Sequence, residues 1–434
     1  MYSLFFQKNR QIFLSKIKSQ SIALFFSGKS KSRTEDLKFP FEINRNFYYL
    51  TGIEQENVVL ILIKEEQNTK TFLFLEKNNQ IKSLWNGDSL SFEKASKISS
   101  IPLENCLEIT TFKNFLNSML NNMRYFFMNK IDNLYFDLSP FDKDETPSCA
   151  LQKARMLINN FPYLKIHNSY PILSLLRQKK QSEEIEEIKK AVQIQKNILD
   201  KLVPKIKSSL FEYDISSFYH YLLEKQQLKP SFDTIAASGK NATIIHYSKK
   251  KGFLKKGEML LLDAGVNYHN YASDVTRCYP INGQFTHQQK LIYELVLKTN
   301  KTMIKKVRPE HTWLEFNQYG RKILFEGLKK LDFLQEEKEF FRYCAHGLGH
   351  YLGLDVHDVG DNTKNIGENS IITVEPGLYF ENLNLGIRIE DDILVTSKGN
   401  VNLTCEIPKE ISEIEDLMSI KKINQIQFIN GTQK

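Results

Sequence analysis

Three histidines, His346, His350 and His357, stand within one glycine-rich stretch, HGLGHYLGLDVHD, in a chain that has nine in all. Neutral imidazole is the commonest side-chain metal ligand. The interleaved Gly347, Gly349 and Gly353 let backbone pass close to a ligand or a neighbouring strand. Any one of these histidines alone would be read as a solvated residue in a connecting loop. The carboxylates argue otherwise. Glu375 sits in ITVEPGLYF, Glu390 in GIRIEDDILV, and Asp263 and Asp274 in LLLDAGVNYHNYASDVTR. A charge at the edge of an apolar run is costly to bury unless something neutralises it. Four such carboxylates beside a histidine cluster imply a metal site.

Their spacing adds geometry. Ten residues lie between Asp263 and Asp274, and fourteen between Glu375 and Glu390. An even count lets a hairpin place the flanking residues directly opposite, with Cβ atoms roughly 4.5–5.5 Å apart. The turns would fall near Tyr268–His269 and in ENLNLG. Like carboxylates that close repel, and one takes a raised pKa unless a cation sits between them. Two metal ions about 3.5–4 Å apart would suit the spacing.

The elements that must carry these residues divide into two domains, 1–173 and 174–434. In the first, a helix is expected over 4–17 and strands over 22–28, 46–52, 57–64, 70–77 and 133–138. Helices are expected over 112–123, where apolar residues recur at spacings of three and four, and around 149–160. Strands alternating with helices describe an α/β domain. It holds one histidine, His167, and no catalytic constellation, so packing and shaping the substrate site are its expected tasks. The composition turns basic near 174–182. Ser182 is expected to cap a helix that buries Ile185, Ile188, Val192, Ile194, Ile198 and Leu202, with Glu183 and Glu184 at its positive end. Pro204 would disrupt its continuation, and a second helix runs from about 211 to 226. TIAAS and TIIHY are expected as strands around a turn at Gly239–Asn241, which puts His246 near a strand end. Helices over 288–307 and 313–331 would pack on the sheet.

The motifs SGKNATIIHY, LLLDAGVNYHNYASDVTR, HGLGHYLGLDVHDVG, TVEPGLYF and GIRIEDDILVT occur in the order typical of the pita-bread metallopeptidases. The chain most resembles the proline-specific members, Xaa-Pro aminopeptidase (aminopeptidase P) and prolidase, over nearly its whole length. INRNFYYLTG and LWNGDSL resemble the creatinase-type N-terminal domain of the same enzymes. The implied fold class is α+β, a creatinase-like N-terminal α/β domain followed by a C-terminal pita-bread catalytic domain. The implied metal ligands are Asp263, Asp274, His350, Glu375 and Glu390, with Asp274 and Glu390 bridging two divalent ions. So oxygen-rich a set favours Mn2+ over a thiolate-type zinc site, with Co2+, Zn2+ or Fe2+ as substitutes. By the same resemblance a metal-bridged hydroxide attacks the scissile carbonyl, Glu375 serves as general base, and His246 and His357 contact the substrate. His346, Tyr379 and Arg388 match positions lining the site. Trp85-Asn86-Gly87 is followed by Asp88-Ser89 where the family often has arginine, so no substrate contact is carried over to that domain.

The implied activity is release of the N-terminal residue from Xaa-Pro peptides. The stretch SKGNVNLTCEIPKEISEIEDLM resembles the ending of bacterial aminopeptidase P and favours tripeptides and longer peptides over the dipeptides a prolidase takes. Methionine aminopeptidase usually lacks the long N-terminal domain, and creatinase does not keep the five ligands. HGLGH lacks the glutamate of the zincin H-E-x-x-H motif. Non-catalytic pita-bread binding modules have generally lost ligands that are intact here. A homodimer or homotetramer is implied, and the tail from about 419 has no counterpart in the resemblance.

Composition bounds the rest. Lys+Arg (59) exceed Asp+Glu (51), a net charge of +8. The lysines are scattered and no basic stripe or RNA-binding motif stands out, so no nucleic-acid partner is expected. Cys106, Cys149, Cys278, Cys344 and Cys405 are odd in number and widely spaced, which argues for a reducing compartment. No run approaches the ~18 apolar residues of a membrane span, and the N-terminus lacks the continuous apolar stretch of a signal peptide. A cytoplasmic protein with no membrane partner is expected.

Overall fold

The computed structural model describes residues 3–121, 131–139 and 147–419. The tail and the last turn expected of the 112–123 helix lie outside the described residues. Two compact units divide the chain, Met1–Arg177 and Gln178–Lys434.

The first unit is built on a six-stranded sheet: β1 (Ser21–Phe26), β2 (Val59–Lys64), β3 (Thr69–Leu75), β4 (Cys106–Glu108), β5 (Asn133–Phe136) and β6 (Lys165–Asn168). Its order is β4-β3-β2-β1-β5-β6. The runs are continuously apolar because both faces are covered. Phe112 and Leu116 of one helix and Ala154 and Leu157 of another pack on Ile22, Leu24 and Ile61. On the alternate side of β1, Phe25 meets Phe13 of the helix Ser3–Lys16, with ring centroids 5.3 Å apart.

One expected strand is a helix. Residues Arg45–Thr51 are helical, not extended. Asn44 caps the start by accepting from Phe47 N at 2.8 Å, and Gly52, at φ 69, closes the end. Asn46 through Thr51 are all buried. A short helix buried on every side shows no stripe, so its caps decide the conformation.

The second unit carries β7 (Lys229–Pro230), β8 (Ile235–Ser238), β9 (Met259–Ala264), β10 (Val266–Tyr268), β11 (Tyr271–Ala272), β12 (Val275–Pro280), β13 (Ile371–Val374), β14 (Gly377–Phe380), β15 (Leu385–Arg388), β16 (Asp391–Thr396) and β17 (Gly399–Asn402). They pair as β11-β10-β7, β12-β9-β8, β13-β16-β17 and β14-β15. The helices Ser182–Leu202, Glu212–Glu224, His287–Lys306 and Trp313–Lys330 share one apolar core with these sheets. Two local expectations change. Gln181, not Ser182, is the N-cap of the first helix, in a capping box with Glu184. TIIHY forms no strand: Gly239–Thr243 is a 3-10 turn and His246 follows it in a loop.

Candidate metal centre

The first acidic pair comes from the antiparallel ladder of β9 and β12. Asp263 pairs with Thr276, and Tyr268 with Tyr271. The turn therefore centres on His269 and Asn270, both left-handed at φ 48 and φ 67. This register is shifted by two residues from direct opposition of Asp263 and Asp274. Side chains alternate with period two, so the shift keeps both carboxylates on one face as diagonal neighbours. The second pair follows its spacing. Gly377 pairs with Arg388 at the end of β14 and β15, and the same register carried outward sets Glu375 opposite Glu390.

His350 rides on a stretch bonded along β13. Thr373 N donates to His350 O (2.9 Å) and Glu375 N to Leu348 O (3.0 Å). The approach is close enough that a Cβ on Gly349 would lie 2.2 Å from Thr373 O. His350 Nδ1 lies 3.0 Å from the carbonyl oxygen of Tyr351. A carbonyl only accepts, so Nδ1 carries the proton and Nε2 keeps its lone pair. Nε2 stands 3.4 Å from Asp274 Oδ2 and 3.6 Å from Glu375 Oε1.

Asp274, His350 and Glu390 each offer a ligand atom within 4.8 Å of the others. Asp263 and Glu375 fall outside that triplet but line the same cavity of about 520 Å³, with His246, His346, His357 and Arg388. Tyr379 is not in the lining. It stands behind His346, its hydroxyl 2.9 Å from His346 Nε2.

The cluster sets four carboxylates, Asp263, Asp274, Glu375 and Glu390, against one guanidinium, while a fifth on the cavity wall, Asp233, pairs with Lys250. Arg388 donates to Asp263 Oδ2 (2.6 Å), Thr276 Oγ1 (3.0 Å) and the Tyr379 hydroxyl (2.8 Å). Thr276 in turn donates to Glu390 Oε2 at 2.6 Å. Burial, then the charges of Glu390, Asp263 and Asp392, raises the Asp274 pKa well above the carboxylate range. Glu375 is raised well above it too, by burial and then Glu390, against the pull of His350 and Arg388. Burial and Asp263 push Glu390 up to about 7. His346 is pushed down to about 3 by burial and Arg388, so it is neutral. Because Arg388 already donates to the Tyr379 oxygen, that hydroxyl gives its proton to His346 Nε2.

These residues fit a cation. Buried carboxylates that repel one another are a standing cost unless positive charge offsets it. Asp263 Oδ1 is buried and accepts no hydrogen bond among the described residues, which leaves an oxygen ready to coordinate. Asp274, His350 and Glu390 can hold one divalent ion, and Asp263 and Glu375 widen the donor set to five.

Several supporting residues escape a reading of the sequence. Arg277 is wholly buried, donates to Glu390 O (2.5 Å) and Asp391 Oδ1 (2.8 Å), and so fixes the start of β16. Asp392 Oδ2 accepts from Asp274 N at 3.1 Å. The signals were present: Thr276-Arg277 inside an apolar strand, and two aspartates directly after Glu390.

Residues 186–397 match metallopeptidase family M24, and residues 6–127 match the aminopeptidase P N-terminal domain. The Xaa-Pro aminopeptidase of Haemophilus influenzae is 32% identical, across 95% of this chain and 97% of its own. A Bacillus anthracis structure assigned provisionally to aminopeptidase P superposes with a TM-score of 0.92 at 36% identity, covering 96% of this chain and 98% of that one. Zinc-substituted Escherichia coli aminopeptidase P in complex with product gives 0.84 at 29%, with the same coverage. The chain belongs to metallopeptidase family M24. Its place within the family is with aminopeptidase P, and its fold is the α+β arrangement of an N-terminal domain and a pita-bread catalytic domain.

Proposed function

We propose that the protein is a metal-dependent Xaa-Pro aminopeptidase, releasing the first residue of peptides that carry proline second. The observation that carries this reading is the cluster of buried Asp274 and Glu390 with half-buried His350, set in a chain of the aminopeptidase P group. Asp263, Asp274, His350, Glu375 and Glu390 would hold two divalent cations. When bound, the ions supply Lewis acidity and make water acidic enough to act as a nucleophile near neutral pH. A donor set of four carboxylates and one imidazole favours manganese.

The chain's own groups do the rest. Glu375 takes the proton of the attacking water and returns it to the proline nitrogen as the C–N bond breaks. That nitrogen carries no N–H in the substrate, so the proton is needed for its departure as an amine. His357, whose pKa is lowered by burial and by His350 and His246, is neutral and donates an N–H to the developing oxyanion, with His246 on the same cavity wall. Arg388 is occupied by Asp263, Thr276 and Tyr379. It acts on the substrate through Asp263 and through the His346 tautomer that Tyr379 sets. All five cysteines are free, in keeping with a cytoplasmic enzyme. No helix among the described residues is long and apolar enough to cross a membrane.

The test is an assay with Xaa-Pro and Xaa-Pro-Yaa peptides after manganese loading. Efficient cleavage of the tripeptides and weaker action on the dipeptides is expected. Dipeptide cleavage with no tripeptide cleavage would identify a prolidase instead. The histidine roles separate by metal analysis. His246→Ala is expected to lower kcat roughly a hundredfold, the scale of one lost oxyanion donor, with full metal content. His350→Ala is expected to lose metal. Equal metal loss in both variants would contradict the division between ligand and substrate contact.

A further inference from the structure

His246 lines the cavity, yet its ring makes no hydrogen bond among the described residues. The contrast with its neighbours is sharp. His350 is held by the Tyr351 carbonyl and His346 by Gly347 O and Tyr379. Apart from a tilted contact with the His357 ring, centroids 6.5 Å apart, the place of His246 rests on the backbone of the loop that carries it, residues 238–252.

Both ends of that loop converge on one carboxylate. Glu212 opens the helix Glu212–Glu224 and is fully buried. Its Oε1 accepts from Ser238 N (2.7 Å), Ser238 Oγ (2.9 Å) and Asn241 Nδ2 (2.9 Å). Its Oε2 accepts from Gly252 N (2.6 Å), and its own backbone N–H donates to Gly252 O (2.9 Å). A Cβ at Gly252 would lie 2.4 Å from Glu212 Oε1, so only glycine lets the chain come this close. Asn241 Nδ2 also reaches the Tyr247 hydroxyl at 3.0 Å, and Lys251 N meets the same hydroxyl at 3.2 Å. Between these anchor points, Ile245, His246, Tyr247 and Ser248 face the cavity.

Among the described residues Glu212 forms no ion pair, so its buried charge is balanced by hydrogen-bond donors, the Tyr247 hydroxyl among them. Hydrogen bonds to an ionised acceptor are roughly twice as strong as neutral ones. One carboxylate thus closes the base of the loop with charge-assisted bonds to both of its ends.

We propose that Glu212 is the positioning residue for His246, fixing the loop that aims this imidazole into the cavity. The proposal rests on the reading that His246 meets the substrate, and its test separates the two. Glu212→Gln keeps the shape, but its amide must turn a donor toward either Gly252 N or the Ser238 and Asn241 donors. With histidines labelled on the ring, the His246 resonance is identified by its absence in His246→Ala. In Glu212→Gln that resonance should move or broaden while that of His350 stays in place. On a manganese-loaded tripeptide assay, kcat should fall about tenfold with KM little changed. The same substitution made in His246→Ala should cost almost nothing further, since contacts acting through one group are not additive. Asn241→Ala, a milder cut of the same network, should displace the resonance to a smaller extent and serves if Glu212→Gln does not fold. An unmoved His246 resonance in the folded variants overturns the proposal whatever the activity. A full further loss of kcat in the His246→Ala background overturns it as well. Wild-type turnover of His246→Ala would instead remove the substrate role of His246, and the resonance alone would then decide the positioning role.

Discussion

Asp274→Asn is expected to lose roughly a thousandfold in kcat/KM on an Xaa-Pro-Yaa peptide, the rate equivalent of about 4 kcal/mol. The isosteric amide keeps the packing of a residue that is almost wholly buried. What it removes is the negative charge, and a neutral amide would hold the proposed cations far more weakly than a carboxylate. The charge balance also predicts where the damage is absent. Burial, and then its neighbours Glu390, Asp263 and Asp392, raise the Asp274 pKa. In chelator, asparagine relieves that repulsion, so the metal-free variant should melt at or above the temperature of metal-free wild type. Activity is therefore lost without loss of fold, which thermal melts and metal analysis on the same samples will read. Near-wild-type turnover with full metal occupancy would remove Asp274 from the ligand set.

The second large effect is that of metal removal on stability, and its size depends on pH. Glu390 is pushed from an ordinary value of 4.5 up to about 7 in the folded protein. A raised carboxylate pKa means that the folded state binds the proton more tightly than the unfolded state. Its contribution is full below about pH 4.5 and is lost as pH rises through about 7. Asp274 and Glu375 shift in the same direction. Glu184, pushed up to about 7 by burial, adds to the same window. The chelated protein should therefore melt at progressively lower temperature between about pH 5 and 7.5.

Metal-loaded protein should behave oppositely across that window, because cations bind the deprotonated ligands. Two ions, each at a hundred times its dissociation constant, contribute about 5 kcal/mol together. At roughly 2–4 °C per kcal/mol for a unit of this size, the gap at pH 7.5 should reach roughly 10–20 °C. A gap that stays constant or narrows as pH rises would show that the carboxylates do not form the binding site. The Glu184 contribution is common to both forms and cancels in the difference.

How much of this was legible beforehand depended on whether the signal was local. Parity along a hairpin is local, so the even spacing of Glu375 and Glu390 led directly to opposed positions. For Asp263 and Asp274 parity placed them on one face, yet register belongs to the turn, and the two left-handed residues His269 and Asn270 moved it by two. Periodicity failed where burial was complete. Residues 46–51 are buried on every side, and only the Asn44 and Gly52 caps reveal a helix. TIIHY has the composition of a strand, but the Glu212 network draws it into a loop, and that contact lies far away in sequence. The same holds for Arg277 behind Glu390: a buried arginine is visible as an oddity, whereas its partner is not.

The five proposed donors come from β9, the edge of β12, the His350 stretch along β13 and the ends of β14 and β15. No single hairpin holds a complete set, and an unfolded chain offers no preformed chelate. A bound ion therefore behaves as a rivet through separately folding pieces. Sub-global opening, in which one hairpin peels from the others, would break up that donor set. Conversely, each ion that binds raises the free energy of those openings and slows the exchange of amide hydrogens in strands that touch no metal.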